Sequence, residues 1–323
     1  MKLTYGGAIR EAIFKELEND QSVVMFGEDI HHNLYGYTDN LVNIYGKKRI
    51  INMPLSEAAC VGTAIGAAMC GLKTIIDLTV PNFLFVAMDQ IVSMAAKTHY
   101  MYNGQYELPL TIMCAAFYNC GNAAQHSDRP HPIFMNVPGL KIVAPTCPQD
   151  AYSLLRAAIT DNNPVIYFAD RSLFHIEADV NMDCKIEIGQ AAILAEGKDI
   201  TIVTISGCAK MALDILPELN SKNISAEIVD VRSLVPLDIT AIKKSVQKTG
   251  KVVIADTANK SCSVASEISS ILAEDLFSEL KAPIGIVACD DVPVPFARNL
   301  EIQIMPSKEK LLQKIIKVME YSK

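Results

Sequence analysis

The sequence predicts an α/β protein with mostly parallel sheets, divided into two domains. Short apolar segments rich in β-branched residues alternate with segments of helical periodicity along the whole chain, a pattern typical of βαβ units. The 323 residues suffice for two hydrophobic cores at ~150 residues per domain. A polar stretch without periodicity, around 179–197, separates two series of these elements. We therefore expect a first domain over 1–185, a linker over 186–198 and a second domain over 199–323.

The first domain is predicted to begin with a helix that is followed by a buried strand. Short continuous apolar runs are typical of strands buried on both faces of a sheet. Apolar residues at every third or fourth position predict helices instead. On these grounds strands are predicted at 22–26, 50–53, 74–78, 110–113, 141–144 and 165–168, and helices at 8–18, 57–70, 85–96 and 150–159.

The second domain repeats the alternation of strands and helices. Each apolar segment is followed by an amphipathic one, as in a further set of parallel βαβ units. Strands are predicted at 199–205, 226–231, 251–255 and 284–288, and helices at 208–219, 238–247, 263–276 and 308–319.

The charge balance and the cysteines exclude several classes of protein. With 29 Lys and Arg against 36 Asp and Glu the net charge is −7, which argues against nucleic acid or an anionic membrane as the main partner. The longest apolar run, 58–72, is shorter than the ~20 residues of a membrane span. The nine cysteines contain no CxxC pair and the N-terminus has no targeting pattern, so we expect a cytoplasmic protein with reduced thiols.

The first candidate for chemistry is Glu57, which opens an apolar helix directly after the short strand 50–53. Ser56 is predicted to be the N-cap of this helix. In the plain interpretation the carboxylate complements the helix dipole, worth ~0.3–1 kcal/mol. In the functional interpretation it is partly desolvated at the carboxyl end of a strand, where open α/β sheets bind ligands. Such a carboxylate can hold or pass a proton.

The second candidate is His126, in a loop bounded by Gly121 and Pro138. A single histidine is more often structural than catalytic. Here Arg129 and His131 follow within five residues, which favours a polar pocket. A histidine on such a loop can move protons or stabilise a developing oxyanion.

Two weaker candidates follow predicted strands or helices. Phe83 lies just after the strand 74–78 and can stack on a planar ligand, although ordinary core packing is the favoured interpretation when this residue is taken without the other candidates. Asp161 lies in a turn after the helix 150–159. In the plain interpretation Asp161 stabilises the turn by bonding to nearby backbone. In the functional interpretation its carboxylate and the carbonyls at the helix end hold a monovalent cation.

The sequence contains no recognisable phosphate-binding loop. It has no GxGxxG after the first strand, no GxxxxGK[ST] and no GDG…N stretch. Whatever the protein binds, its own sequence offers no obvious cradle for a phosphate.

These residues and the runs around them resemble the beta subunit of thiamine-diphosphate-dependent 2-oxoacid dehydrogenases, the decarboxylating component of the pyruvate, acetoin or branched-chain type. The matching runs follow the family's order through nearly the whole chain. They are Phe26-Gly27-Glu28-Asp29, Ser56-Glu57, Gly66-Ala67-Ala68, Asp77-Leu78, Asn82-Phe83, Ala87-Met88-Asp89-Gln90, Ala123-Ala124-Gln125-His126-Ser127, Pro138-Gly139-Leu140-Lys141, Asp161-Asn162-Asn163-Pro164, Val231-Arg232-Ser233-Leu234-Val235-Pro236 and Asp291-Val292-Pro293-Val294-Pro295.

The resemblance implies a transketolase-like pyrimidine-binding domain followed by a transketolase C-terminal-like domain. It implies thiamine diphosphate as the cofactor and a heterotetramer of two alpha and two beta subunits. The alpha subunit would hold most of the Mg²⁺ and diphosphate contacts, and a lipoyl-carrying acyltransferase would accept the acyl unit.

The resemblance also implies roles for particular residues. Glu57 matches the glutamate bonded to the cofactor's aminopyrimidine, Phe83 matches the aromatic residue packed on that ring, and Glu28 belongs to a matching cofactor-binding run. His126 matches the active-site histidine that positions substrate. A potassium site of some members matches Leu110, Ala158, Ile159, Asp161 and Asn163.

The departures from the family lie mainly around the expected substrate entrance. Many members have an Arg and a Gly-rich loop where this chain has Met113-Cys114-Ala115-Ala116-Phe117-Tyr118. Val86 replaces a Gln of pyruvate-type members, and Lys260-Ser261-Cys262-Ser263 replaces a Gly-rich turn. After Ser127 the chain continues Asp128-Arg129-Pro130-His131-Pro132, and Arg129 and His131 are expected to contact substrate.

Three hypotheses remain open at this point. The first is the beta half of a 2-oxoacid decarboxylase that passes its acyl group to a lipoyl partner. The second is the beta half of a thiamine enzyme of the transketolase or acyloin type that transfers ketol or acyl units without lipoyl. For it, Arg129 and His131 would suit a polar or anionic substrate. The third is a non-catalytic scaffold that assembles a partner.

Overall fold

The computed structural model describes residues 1–116 and 120–321, so Phe117 and Tyr118 of the divergent run lie outside the described residues. The chain divides into two compact units. The N-terminal unit contains residues 1–116 and 133–188 of the described chain, and the C-terminal unit contains 120–132 and 189–321. The loop 120–132, which carries His126, therefore belongs to the C-terminal unit although it lies inside the N-terminal unit in sequence.

The N-terminal unit is built on a parallel sheet. Its strands are β1 (Lys2–Thr4), β2 (Val23–Glu28), β3 (Ile50–Met53), β4 (Lys73–Asp77), β5 (Leu110–Ala116), β6 (Lys141–Val143), β7 (Val165–Asp170) and β8 (Glu177–Asp179). Within this unit the sheet order is β6-β7-β5-β4-β2-β3, all parallel. β1 and β8 form a separate antiparallel pair. The strands predicted for the first domain are confirmed, and this short pair was not predicted.

The helices of the N-terminal unit cover the sheet and bury its apolar faces. They are α1 (Tyr5–Asn19), α2 (Leu41–Tyr45), α3 (Glu57–Met69), α4 (Ala96–Met101), α5 (His131–Met135), whose first two residues belong to the C-terminal unit, and α6 (Pro148–Ile159). α1 packs on α6 in the main core. Thr4 caps α1 by accepting a hydrogen bond from the Gly7 amide at 3.0 Å.

The predicted helix 85–96 differs from the structure in its bounds and in part of its type. Pro81–Phe85 form a 3₁₀ helix, Met88 and Asp89 are α-helical, Gln90–Ala95 form a π-helix, and α4 continues from Ala96 to Met101. Periodicity analysis tests for 3.6 residues per turn. It therefore does not detect the tight turn that begins at Pro81 or the wide turns that follow it.

The C-terminal unit has its own sheet and core. Its strands are β9 (Ala192–Ala195), β10 (Ile200–Thr204), β11 (Ala226–Asp230), β12 (Ser233–Val235), β13 (Val252–Asn259) and β14 (Gly285–Cys289). The sheet order is β14-β13-β10-β11-β9, parallel except for the antiparallel β9. β9 lies within 186–198, the stretch expected to be a linker, and pairs there with β11.

The helices of the C-terminal unit are confirmed where they were predicted, with ends shifted by at most two residues. They are α7 (Cys208–Ser221), α8 (Ile239–Thr249), α9 (Val264–Asp275), α10 (Arg298–Ile304) and α11 (Lys308–Met319), of which α10 was not predicted. Asp238, Ser263 and Ser307 cap α8, α9 and α11. Over the described residues, no helix is long and apolar enough to cross a membrane.

Candidate functional site

Acidic side chains collect at one edge of the N-terminal sheet. Glu28 ends β2, Glu57 follows β3, and Asp77 ends β4. β2 lies between β3 and β4 in parallel register, so the carboxyl ends of all three strands meet at this edge. Open α/β sheets bind ligands at this position.

Glu28 is the buried member of this group, with only 5% of its surface exposed. Its Oε1 accepts a hydrogen bond from the Ser56 amide at 3.0 Å. Its Oε2 is buried and has no hydrogen-bond partner among the residues that the structure describes. Burial raises the pKa of Glu28, the bond from Ser56 partly offsets this, and the neighbouring charge of Glu57 raises it further.

The start of α3 differs from the sequence expectation in one respect. Ser56 occupies the N-cap position, but within residues 1–116 its hydroxyl makes no capping bond. Its backbone amide donates to Glu28 Oε1 instead. The carboxylate at the end of β2 therefore satisfies a backbone N–H at the start of α3. Glu57 follows at the first helical position and is half-buried. Glu28 is thus joined by a hydrogen bond to Ser56, the residue before Glu57, and the two carboxylates belong to one local cluster.

Asp77 is a residue that the sequence reasoning did not select as a site. Its carboxylate accepts hydrogen bonds from the Tyr37 hydroxyl at 2.8 Å and from the Thr79 amide at 2.9 Å. Burial raises its pKa from 3.8 to about 6, against the lowering effect of these two bonds, and the charge of Glu28 adds to the rise. The two carboxylates line one small hollow together with Tyr35, Tyr37 and Thr79. The sequence signal that could have identified Asp77 is an aspartate at the end of an apolar strand.

Phe83 lies close to this edge in sequence and in fold. It belongs to the 3₁₀ helix Pro81–Phe85 that follows β4, and its side chain is half-buried. Its amide donates to the Val80 carbonyl at 3.1 Å, which fixes the tight turn. An aromatic face at this place can pack against a planar ring.

His126 lies on the C-terminal unit, in the 3₁₀ turn Ala124–His126, and its side chain is exposed. The preceding Ala123 has a φ of 58°, a left-handed conformation that is costly for alanine. The turn is therefore held in place by its surroundings rather than by local preference.

Three contacts within the C-terminal unit hold the loop 120–132. The Gly121 amide donates to Glu301 Oε2 at 3.1 Å, and the Arg298 guanidinium donates to the Cys120 carbonyl at 3.4 Å. At the other end, His131 Nε2 lies 3.2 Å from Asp256 Oδ1. Both α10 and β13 thus support the loop.

Arg129 and His131 do not have the exposure expected of substrate-binding residues. They are 6% and 4% exposed. The Arg129 guanidinium donates to the Ser127 carbonyl at 2.8 Å. Asp256 is fully buried, which raises its pKa, but the bond and charge of His131 together with two backbone amides lower it below its usual value. This geometry favours a role for both residues in holding the loop.

The residues of the expected potassium site lie together in the N-terminal unit. Leu110 begins β5, and Ala158 and Ile159 end α6. Asp161 lies in the turn that follows, where its Oδ2 accepts a bond from Lys141 Nζ at 2.5 Å and its Oδ1 one from the Asn163 amide at 2.9 Å. Since the Lys141 ammonium already neutralises this carboxylate, a cation here would depend mainly on backbone carbonyls. Among the described residues, no group of three or more His, Cys, Asp or Glu is placed to hold a metal.

Comparisons with known proteins agree over the full length of the chain. Residues 1–176 match the family model of the transketolase pyrimidine-binding domain, and residues 189–311 match that of the transketolase C-terminal domain. The chain is 39% identical to the pyruvate dehydrogenase E1 component subunit beta of Rickettsia felis, covering 100% of both chains. It is also 39% identical to the acetoin:2,6-dichlorophenolindophenol oxidoreductase subunit beta of Cupriavidus necator, covering 100% of this chain and 99% of that one.

A solved structure supports the same fold. A split-gene transketolase, solved as an inactive beta4 tetramer, superposes with a TM-score of 0.83 and covers 99% of each chain. Its sequence is 20% identical, so this likeness establishes the fold alone.

Proposed function

Because the chain belongs to the family of beta subunits of 2-oxoacid dehydrogenases, with transketolase-type domains, we propose that it is one half of a thiamine-diphosphate-dependent enzyme. The other half is an alpha subunit, in a heterotetramer of two alpha and two beta chains. The assembled enzyme decarboxylates a 2-oxoacid and transfers the acyl unit to a lipoyl-carrying acyltransferase.

The observation that carries this proposal is the acidic edge of the N-terminal sheet. The domain that matches a pyrimidine-binding family model places Glu28 and Glu57 at the carboxyl ends of neighbouring strands. An aminopyrimidine offers hydrogen-bond donors and a basic ring nitrogen, which are the groups that carboxyl side chains recognise.

The residues present fit this ring. Glu28 Oε2 is a buried oxygen with no partner among the described residues, and such an atom is costly unless a bound group satisfies it. We assign Glu57 to the ring nitrogen, Glu28 to holding the start of α3 and sharing a proton, and Phe83 to packing on the ring. Bound thiamine diphosphate would supply a carbon nucleophile and an electron sink for cleaving the bond beside a carbonyl.

His126 is assigned to the substrate side of the proposed reaction. Its exposed imidazole on a loop held at both ends is suited to exchange a proton with a substrate oxygen. Arg129 and His131, first expected to contact substrate, are assigned to the support of this loop because both are buried.

The metals of the proposed enzyme are assigned to different places. Mg²⁺ and the diphosphate are assigned mainly to the alpha subunit, since the sequence has no GDG…N loop. K⁺ is assigned to the backbone carbonyls around Leu110, Ala158 and Ile159. A higher thermal midpoint in KCl than in NaCl of equal ionic strength would support the K⁺ site, and equal midpoints would contradict it.

The domain division is also kept as a proposal. Residues 1–185 would bind the pyrimidine, 186–198 would connect, and 199–323 would form the C-terminal domain. Two segments are exceptions, because the loop 120–132 and the strand β9 within 186–198 both belong to the C-terminal unit.

Calorimetry with thiamine diphosphate and Mg²⁺ tests the proposed function. We expect binding only when the chain is mixed with its alpha-type partner, and we expect Glu57→Gln to abolish that binding. Glu274→Gln, an exposed change on α9 of the C-terminal unit, is the matched control and should bind as the unaltered chain does. Failure of the mixture to bind the cofactor would contradict the proposal, and unchanged activity of Glu57→Gln would leave only a scaffold role.

A second candidate substrate is favoured by one comparison. The acetoin-type relative is as similar in sequence as the pyruvate-type relative, at 39% identity each. The assembled enzyme should therefore be assayed with pyruvate and with acetoin, using 2,6-dichlorophenolindophenol as electron acceptor. Reduction of the dye with acetoin alone would favour the acyloin type, and acylation of a lipoyl domain from a 2-oxoacid would favour the first proposal.

A further inference from the structure

A groove in the C-terminal unit runs between the edge strand β14 and the helix α11. Its floor is formed by three consecutive residues of β14, 286–288, and its wall by one side of α11. Alternate residues of a strand point to opposite faces. Three consecutive lining residues therefore indicate that the groove follows the backbone edge of the strand rather than one of its faces.

The groove is strongly basic although the protein is acidic. Lys260, Lys310, Lys314 and Lys317 line it, against the single carboxylate of Asp290, in a chain of net charge −7. The ammonium of Lys310 is held by the carbonyls of Gln303 and Met305. Among the described residues, the ammonium groups of Lys260, Lys314 and Lys317 have no hydrogen-bond or ion-pair partner.

The edge of β14 that faces the groove carries no strand within 1–116 and 120–321. β14 is the terminal strand of its sheet and is bonded to β13 on its other side. An open strand edge offers backbone donors and acceptors to a further strand. The groove therefore combines an unpaired edge with a row of cations beside it.

We propose that this groove binds an acidic segment of a partner protein as an added β-strand. The backbone of the segment would pair with residues 286–288, and its carboxylates would meet the lysines. Alternate residues of a strand lie ~6.7 Å apart, and Lys310 to Lys317 span ~10 Å of helix. Two or three carboxylates at every second position match this spacing.

A protective role for the lysines is the competing explanation. Lysines beside an edge strand also prevent association between copies of a protein. In that case the groove would have no preference for a strand-forming peptide, and removal of the positive charge would cause self-association.

Fluorescence anisotropy with the full chain tests the proposal. The probe is a labelled nine-residue peptide, capped at both ends, with glutamate at every second position and valine between. We expect saturable binding that weakens with added salt. Binding should weaken about 10-fold or more in Lys314→Glu/Lys317→Glu, a loss of ~1.4 kcal/mol.

Three controls make the outcome decisive. Lys47→Glu/Lys48→Glu reverses two exposed lysines of the N-terminal unit and should bind within about twofold of the unaltered chain, given that distant exposed charges are screened. The same peptide with every backbone nitrogen methylated has no N–H donor on either edge, cannot add as a strand and should bind poorly. Inorganic tripolyphosphate should compete only weakly. Absence of binding, equal binding of the methylated peptide, or full displacement by tripolyphosphate would each overturn the proposal.

Discussion

Replacing His131 with alanine should destabilise the C-terminal unit because it leaves a buried carboxylate without its side-chain partner. Asp256 is fully buried, and His131 Nε2 lies 3.2 Å from its Oδ1. Breaking a buried pair by removing one partner costs ~3–5 kcal/mol. The amides of Ala258 and Ala265 still donate to Asp256, at 3.0 and 3.4 Å, so we expect the lower end, about 3 kcal/mol.

The expected loss depends on pH with a definite sign. In the unaltered protein the pKa of Asp256 lies below its usual value. Its contribution to stability is therefore present above about pH 4 and is lost as the pH falls through the lowered pKa. In His131→Ala the imidazole no longer offsets the effect of burial, so the pKa of Asp256 rises. The carboxylate is then protonated in mild acid, which removes the cost of a buried, unpaired charge. The difference between the two proteins should be large at pH 7 and smaller at pH 4.

Thermal and urea unfolding of the assembled enzyme measure this loss. About 3 kcal/mol corresponds to a fall of roughly 6–12 °C in the thermal midpoint for a unit of this size. His126→Ala is the control, since His126 is exposed on the same loop and should change stability by less than ~0.5 kcal/mol. Because the loop carries His126, His131→Ala should also lower kcat while cofactor affinity stays unchanged.

Two results would refute the reasoning about His131. A midpoint within about 2 °C of the unaltered protein would mean that the pair contributes little. Equal loss of cofactor affinity would mean that the damage reaches the N-terminal unit. His131→Gln, whose amide can still donate to Asp256, should recover part of both stability and kcat.

Two further predictions concern the N-terminal unit. The pKa of Asp77, raised from 3.8 to about 6, implies a loss of about 2 kcal/mol of stability as the pH rises from 4 to 7; Asp77→Asn should flatten this dependence in urea unfolding, and an unchanged pH profile would contradict it. Gly139→Ala should lower the free energy of unfolding by more than about 3 kcal/mol, because the Cβ of the new alanine would lie 1.9 Å from the Ala96 carbonyl oxygen. Gly36→Ala, with a similar positive φ and nothing within 4 Å, should cost only ~1–2 kcal/mol, and equal effects in the two variants would disprove the steric argument.

The strands and the longer helices could be predicted because each carries its own signal. Val165–Asp170 is continuously apolar up to its final Asp and fully buried, and Lys308–Met319 shows a clean helical period behind a serine cap. The strands β1 and β9 were not predicted, because each is a strand only through its pairing with a distant segment, β8 and β11 respectively, and the fold alone supplies that partner. The π-helix Gln90–Ala95 has wider turns than an α-helix, so a period of 3.6 residues does not reveal it.

The position of a candidate site residue could be predicted where chemistry and place in the chain coincide in one residue. Glu57 follows a strand and opens an apolar helix, and both facts are visible in the sequence. The partnership of Asp77 with Tyr37 joins residues forty positions apart, and only the fold brings them together. The same holds for His131, whose partner Asp256 is 125 positions away. A polar cluster in a loop therefore suggested substrate contact where the structure shows burial.

The placement of residues 120–132 within the C-terminal unit determines how this protein can be recombined with its relatives. The C-terminal family model covers 189–311 and omits this loop, so a graft cut at residue 189 would separate His131 from Asp256 and Gly121 from Glu301. A chimaera that exchanges the second unit must also exchange 120–132, because the transferable piece is discontinuous in the gene. If the proposed roles hold, the substrate preference of the His126 loop is transferred with the C-terminal half, and cofactor recognition by Glu28 and Glu57 remains a property of the recipient.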